Sequence, residues 1–196
     1  MSVTALQRRS AGTIHHDILL TASQLFYAHG IHAVSADRII AAAGISKVTF
    51  YRHFASKDDL VVAYLRNLSA RERMLTDAAL DRFADRPHEL VDWFARVVAA
   101  QSCRPGFRGC AFINAAGEYP DAASPVRQAV AEHRAWFRSV LVLVAARLGA
   151  ERAEAVADQL VVLRDGLLVS GYLGERPSAL ASGFTSAVES VLTGRR

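Results

Sequence analysis

The sequence predicts an all-α protein, and three observations lead there. Alanine, leucine and valine dominate a chain of 196 residues that is 52% hydrophobic, with only 12 glycines and 5 prolines to make turns. Apolar residues recur three or four apart through nearly every segment, the period at which one face of a helix meets a core. Between Val34 and Leu60, two short helical patterns meet at Gly44, and the start of a third helix follows. The length suits a small N-terminal module joined to a larger helical domain, placed at residues 1–57 and 58–196.

The elements follow in order. Residues 1 to about 11 are unpatterned, with Arg8 and Arg9 their charged pair, and read as a flexible arm or a frayed terminus. Thr13 reads as a helix cap, and Ile18, Ala22, Leu25 and Phe26 form an apolar stripe that ends near Gly30. Ala36, Ile39, Ile40 and Ala43 mark a second helix, which Gly44 ends with a sharp turn. Ser46 caps a third helix to about Phe54. It turns Ile45, Phe50 and Phe54 inward and Lys47, Val48, Thr49, Tyr51, Arg52 and His53 outward. Two helices joined by a short turn containing Gly form a helix-turn-helix, whose second helix enters the major groove of DNA. Its outward donors and cations suit that groove.

The stretch AGISKVTFYRHFASKDDL sharpens this reading. Gly44, Ser46, Phe50 with Tyr51, His53 with Phe54, and Lys57 stand at the spacing of the TetR (tetracycline-repressor-like) DNA-binding signature, which the segment closely resembles. The close match covers about the first third of the chain; the remainder is similar to the family in helical layout and length. The resemblance implies phosphate contacts from Thr49, Tyr51, His53 and Lys57. Lys47 and Arg52 are candidates for base edges, since either can donate to guanine O6 and N7. Two positions depart from the family pattern. Val34 stands where relatives usually carry a capping Thr, so either Ser35 takes that role one residue later or the contact is absent. Val48 replaces a common Gly, and its side chain is placed to meet a thymine methyl.

Charge agrees with that placement. The net charge is +4, and the only two lysines, Lys47 and Lys57, flank the third helix. No apolar run approaches the 18 residues of a membrane span, and the start MSVTALQRRSAG lacks the apolar core of a signal peptide, so a cytoplasmic protein without a membrane partner is expected.

Downstream, Ser56 with Asp59 resembles a capping box and starts a long helix striped by Leu60, Tyr64, Leu68 and Leu75 to about Leu80. After Pro87, Leu90, Trp93, Phe94, Val97 and Val98 predict a helix ending near Arg104, and Gly109 to Asp121 reads as a short helix with a Pro stop. The cleanest stripe runs from Val126 through Val130, His133, Phe137 and Val144 to Leu148. Two last helices span about Glu151–Gly174 and Pro177–Leu192, the final one rich in small residues. By resemblance to the family, this part encloses a pocket for a small-molecule effector, and its two C-terminal helices pair with their symmetry mates in a homodimer bound to operator DNA.

Candidates to touch the effector are Trp93, Phe107, Phe112, Asn114, Glu118, His133, Trp136 and Phe137. His133 is equally a hydrogen-bonded core residue, and the aromatic residues are equally core. Arg164 and Asp165 read as an ion pair in an interface, in a pocket or on the surface. Cys103 and Cys110 suit either inert thiols or, as an alternative function, a thiol-based redox sensor. GxSxG, Gly-rich phosphate-loop, HExxH and metal-spaced Cys/His patterns are all missing, so no catalytic residue, metal or cofactor is assigned. A small helical enzyme remains the rival of another class. The expected function is a DNA-binding transcriptional regulator, a homodimeric repressor released by an effector.

Overall fold

The computed structural model describes residues 11–102, 104–174 and 176–194; the expected arm with Arg8 and Arg9, and Cys103, lie outside them. The described residues form α1 (Ala11–His29), α2 (Ala36–Ala43), α3 (Lys47–His53), α4 (Lys57–Arg82), α5 (Pro87–Ser102), α6 (Ala111–Glu118), α7 (Pro125–Arg147), α8 (Ala153–Tyr172) and α9 (Pro177–Thr193), with no strand among them. The all-α expectation therefore holds. Two compact units divide between Tyr64 and Leu65, inside α4 and a little past Lys57. The first turns of α4 belong to the first unit because Leu60, Val61 and Tyr64 are buried there, Tyr64 with its ring centroid 5.8 Å from that of Phe26.

In the first unit α1 buries Ile18, Leu19, Ala22 and Phe26, and Leu25 is half-buried. Thr13 sits inside α1, which already includes Ala11, so it is not the cap expected of it. Val34 is fully buried, and Ser35 caps α2, its Oγ accepting the Arg38 amide at 3.1 Å. The cap has thus moved one residue downstream of the position where a Thr would stand. Gly44 ends α2 at φ 63°, ψ 40°; its amide donates to Ala41 and that of Ile45 to Ile40, the paired bonds of a Schellman motif. Ser46 then caps α3 by accepting the Thr49 amide at 3.1 Å.

The second unit is built on the later part of α4 and on α5–α9. Ser56 caps α4, accepting the Asp59 amide at 3.0 Å and donating to its carboxylate at 2.8 Å. The stripe expected along α4 needs one correction: Leu75 is 55% exposed, and Ala79 and Leu80 are the buried residues at that end. Helices α5, α8 and α9 pack on one another, and α7 packs on α6 and α8. Apolar clusters among its described residues form around Phe83 with Leu90, around Val98 with Leu167, and around Leu160 with Val188.

Candidate functional site

Two places in the molecule have the chemistry of a site. The first is α3. Phe50 and Phe54 are buried, while Lys47, Val48, Tyr51 and Arg52 are exposed, Val48 by 78%. Phe50 holds the Tyr51 ring edge-on at 5.2 Å, and Ser46 Oγ holds the Thr49 hydroxyl at 2.9 Å, so both polar groups project from fixed bases. Lys47 Nζ lies 3.7 Å from the Asp37 carboxylate on α2; both are mostly exposed, so the pair is worth little and leaves the ammonium available. His53 is less outward than its position in the pattern suggests. It is half-buried, 6.1 Å from the His15 ring, and its Nε2 is buried without a hydrogen-bond partner. His15 itself stacks on Phe54 at 4.6 Å, which makes it part of the packing of this unit.

The second place is a cavity of about 90 Å³ lined by residues of α4, α5, α7, α8 and α9 within the second unit. Its walls are apolar, with rings from Trp93, Phe94, Phe137 and Phe184, and Arg164 is the one charged residue lining it. Arg164 is buried, at 9% exposure. Its Nη1 donates to the Asp165 carboxylate at 3.1 Å and to Cys110 Sγ at 3.4 Å, and its guanidinium lies 5.0 Å from the Phe137 ring centre. Burial works against its charge, but the Cys110 sulfur, the hydrogen bonds to Cys110 and Asp165 and the charge of Glu72 outweigh it and hold its pKa above the ordinary value. Asp165 also accepts from Arg134 at 2.8 Å, so it joins two guanidiniums.

A sequence profile of bacterial regulatory proteins of the tetR family matches residues 18–64. SCO4454, a TetR-family transcriptional regulator from Streptomyces coelicolor, is 40% identical and superposes with a TM-score of 0.84 over 92% of this chain and 95% of its own. The chain belongs to the TetR family. The regulatory protein TetR from Rhodobacter sphaeroides, 21% identical with a TM-score of 0.77 over 89% of this chain and 96% of its own, shares the fold. The HTH-type transcriptional activator FasR of Mycolicibacterium smegmatis is 43% identical over 49 residues, 25% of this chain, and the chain covers 22% of FasR's length. The protein is a DNA-binding transcriptional regulator of that family with an N-terminal helix-turn-helix.

Within this TetR-family chain, the candidates for effector contact fall into three groups. Trp93 and Phe137 line the cavity. Phe112, His133 and Trp136 form a separate ring cluster: the buried Phe112 and His133 rings are parallel, 3.6 Å apart, and the half-buried Trp136 lies 5.3 Å from His133. His133 Nδ1 meets the Ser69 hydroxyl at 3.1 Å, and its Nε2 lies 3.4 Å from the Glu72 carboxylate without hydrogen-bond geometry. Phe107, Asn114 and Glu118 do not line the cavity, and the exposed Asn114 amide donates to the Arg108 carbonyl at 2.7 Å. The lining residues not among those candidates, such as Phe94, Leu160 and Phe184, carried no signal beyond an apolar helical stripe.

Cys110 is a buried free thiol. Among the described residues no group of three His, Cys, Asp or Glu is placed to hold a metal, and no helix is long and apolar enough to cross a membrane.

Proposed function

We propose that the protein is a homodimeric repressor which leaves its operator when a small molecule fills the cavity of its second unit. The observation that carries this reading is the pairing, in one TetR-family chain, of an exposed donor face on α3 with a ring-lined cavity bearing one buried guanidinium. Tyr51, Thr49 and Lys57 contact phosphate; Ser35 does so from the start of α2, and His53 through Nδ1, since its Nε2 is buried. Lys47 and Arg52 read guanine edges, and Val48, bare of neighbours, meets a thymine methyl. The reading module comprises residues 1–57, and residues 58–196 bind the effector and dimerise.

Dimerisation runs through α8 and α9. The stripes that mark them as helices, Leu160 with Leu167 and Leu180 with Val188, are buried in the chain's own core. The faces left for a partner are Val162, Gly166, Val169 and Leu173 on α8 and Ala179, Ser182, Gly183 and Ser186 on α9, all exposed. A two-fold pairing there gives the two copies needed for half-sites about 34–36 Å apart. Effector and operator are then coupled through the dimer by about 1–3 kcal/mol, as is typical of linked sites.

A salt titration of binding to the DNA upstream of the protein's own coding region, against unrelated DNA, tests the reading. Wild type is expected to prefer its own upstream DNA, and Tyr51→Ala with Lys57→Ala to weaken all binding and flatten the salt slope. Lys47→Ala or Arg52→Ala should instead cost about 1–3 kcal/mol and relax specificity at one base pair. A wild type with no preference and little salt dependence would remove α3 from this role.

A further inference from the structure

The cavity is more specific than an apolar hole. Thirteen of its 15 lining residues are hydrocarbon or aromatic, and the buried Arg164 is the one charged residue among them. All the hydrogen bonds of Arg164 run from Nη1, to Cys110 and Asp165, so Nε and Nη2 have no hydrogen-bond partner among the described residues. Both nitrogens keep some accessible surface, since neither is a fully buried atom without a partner. The carboxylate partner Asp165 is shared with Arg134, so it does not serve Arg164 alone.

We propose that the cavity takes a compact monocarboxylate, a single-ring aromatic acid or a short-chain fatty acid, with its carboxylate on Arg164 and its hydrocarbon among Trp93, Phe94, Phe137 and Phe184. This names the ligand class for the effector site proposed above and rests on that reading. A planar guanidinium with a free edge matches a carboxylate in two parallel hydrogen bonds. A dianion would bury a second charge against apolar walls, and a cation would meet Arg164 with like charge. Size sets the other limit: at about 90 Å³ the cavity is smaller than the ~150 Å³ that holds benzene in an engineered apolar cavity, so nothing larger than a single ring or a short chain is a candidate.

The test uses full-length protein and five probes, hexanoate, 1-hexanol, hexylamine, benzoate and benzyl alcohol, followed by calorimetry and by the fluorescence of Trp93 in a Trp136→Phe background. The two acids are expected to bind roughly tenfold or more tightly than the matching alcohols, and the amine not at all. Arg164→Met is expected to erase that preference while the alcohols still bind, and Arg164→Lys to keep part of it. Arg164→Met leaves Asp165 paired with Arg134, so no carboxylate is stranded; should it fail to fold, wild-type selectivity and Arg164→Lys decide. Alcohols binding as tightly as acids, a preference that survives Arg164→Met, or binding of none of the probes would overturn the proposal. Operator affinity is measured separately. Acids that bind through Arg164 without changing it keep the ligand class and sink the effector role, whereas an alcohol that shifts operator affinity with no acid preference does the reverse.

Discussion

Gly171 of α8 lies directly against Ser102 of α5: a Cβ built on Gly171 would fall 2.4 Å from Ser102 Cβ and 2.9 Å from its Oγ. Neither atom can swing away. Ser102 Cβ is fixed to the backbone of α5, and its Oγ is tied to the Ala99 carbonyl at 2.7 Å. The two helices meet this closely because one of them has no side chain at the contact.

Gly171→Ala is therefore expected to destabilise the protein by about 1–3 kcal/mol, the cost of overpacking, although alanine is the better helix former. Ser102→Gly in the same chain should recover most of the loss by clearing the contact. Gly117→Ala in α6, where a new Cβ meets nothing within 4 Å, is the control and should stabilise by about 0.5–1 kcal/mol. Urea melts of the four proteins decide; equal effects at Gly171 and Gly117 would refute close packing as the cause.

The turn that aims α3 rests on Gly44 and Ser46. Gly44→Ala forces a side chain into the left-handed region and should cost about 1–2 kcal/mol. Ser46→Ala removes the acceptor of the Thr49 amide and should cost about 1 kcal/mol. Both changes should weaken DNA binding and lower the urea midpoint together. Ser35→Ala, which uncaps α2, is expected to do the same on a similar scale.

How far the sequence carried this structure depends on the range of the forces involved. The helix-turn-helix was legible because its signals are local: Gly44 for a left-handed turn, Ser35 and Ser46 for caps, Phe50 and Phe54 at one-turn spacing. Leu75 misled because an apolar residue at helical spacing does not show that another element packs over it. The cavity was only partly legible. Trp93 and Phe137 line it, but His133, Phe112 and Trp136, with the same aromatic and helical signature, stack on each other instead. Arg164 stood out as a charge in an apolar run, yet whether it faced solvent, a partner or a cavity depends on tertiary contacts 54 residues away at Cys110.

Asp165 holds two arginines, and its loss should be felt more than that of either partner. Asp165→Asn leaves the buried Arg164 and the half-buried Arg134 without their shared carboxylate. The full cost of breaking a buried pair is about 3–5 kcal/mol; Asp165 is 25% exposed, so water offsets part of it and about 2 kcal/mol is expected. Arg134→Met, whose side chain is 40% exposed, should cost less, because Asp165 keeps Arg164. A double-mutant cycle in urea measures the coupling, and a loss at Asp165 no larger than at Arg134 would contradict it.

The last prediction concerns the outer faces of α8 and α9. Val162 and Leu173 are 70% and 75% exposed, Val169 is 45% exposed, and they lie at spacings of seven and four, on one side of α8. In a monomer nothing explains why that side is apolar, and replacing exposed residues there should change stability by no more than about 0.5 kcal/mol. In a dimer the same changes put charge into an interface. Val162→Glu with Leu173→Glu is therefore expected to leave helicity intact, to halve the mass measured by sedimentation, and to weaken operator binding steeply, since each head then binds its half-site alone. The small residues facing outward on α9 make a second, independent route. Gly183 meets nothing within 4 Å in the isolated chain, so Gly183→Leu fits the monomer and obstructs only a closely approaching helix. A dimer that persists in both variants would place the two-fold contact elsewhere on the second unit.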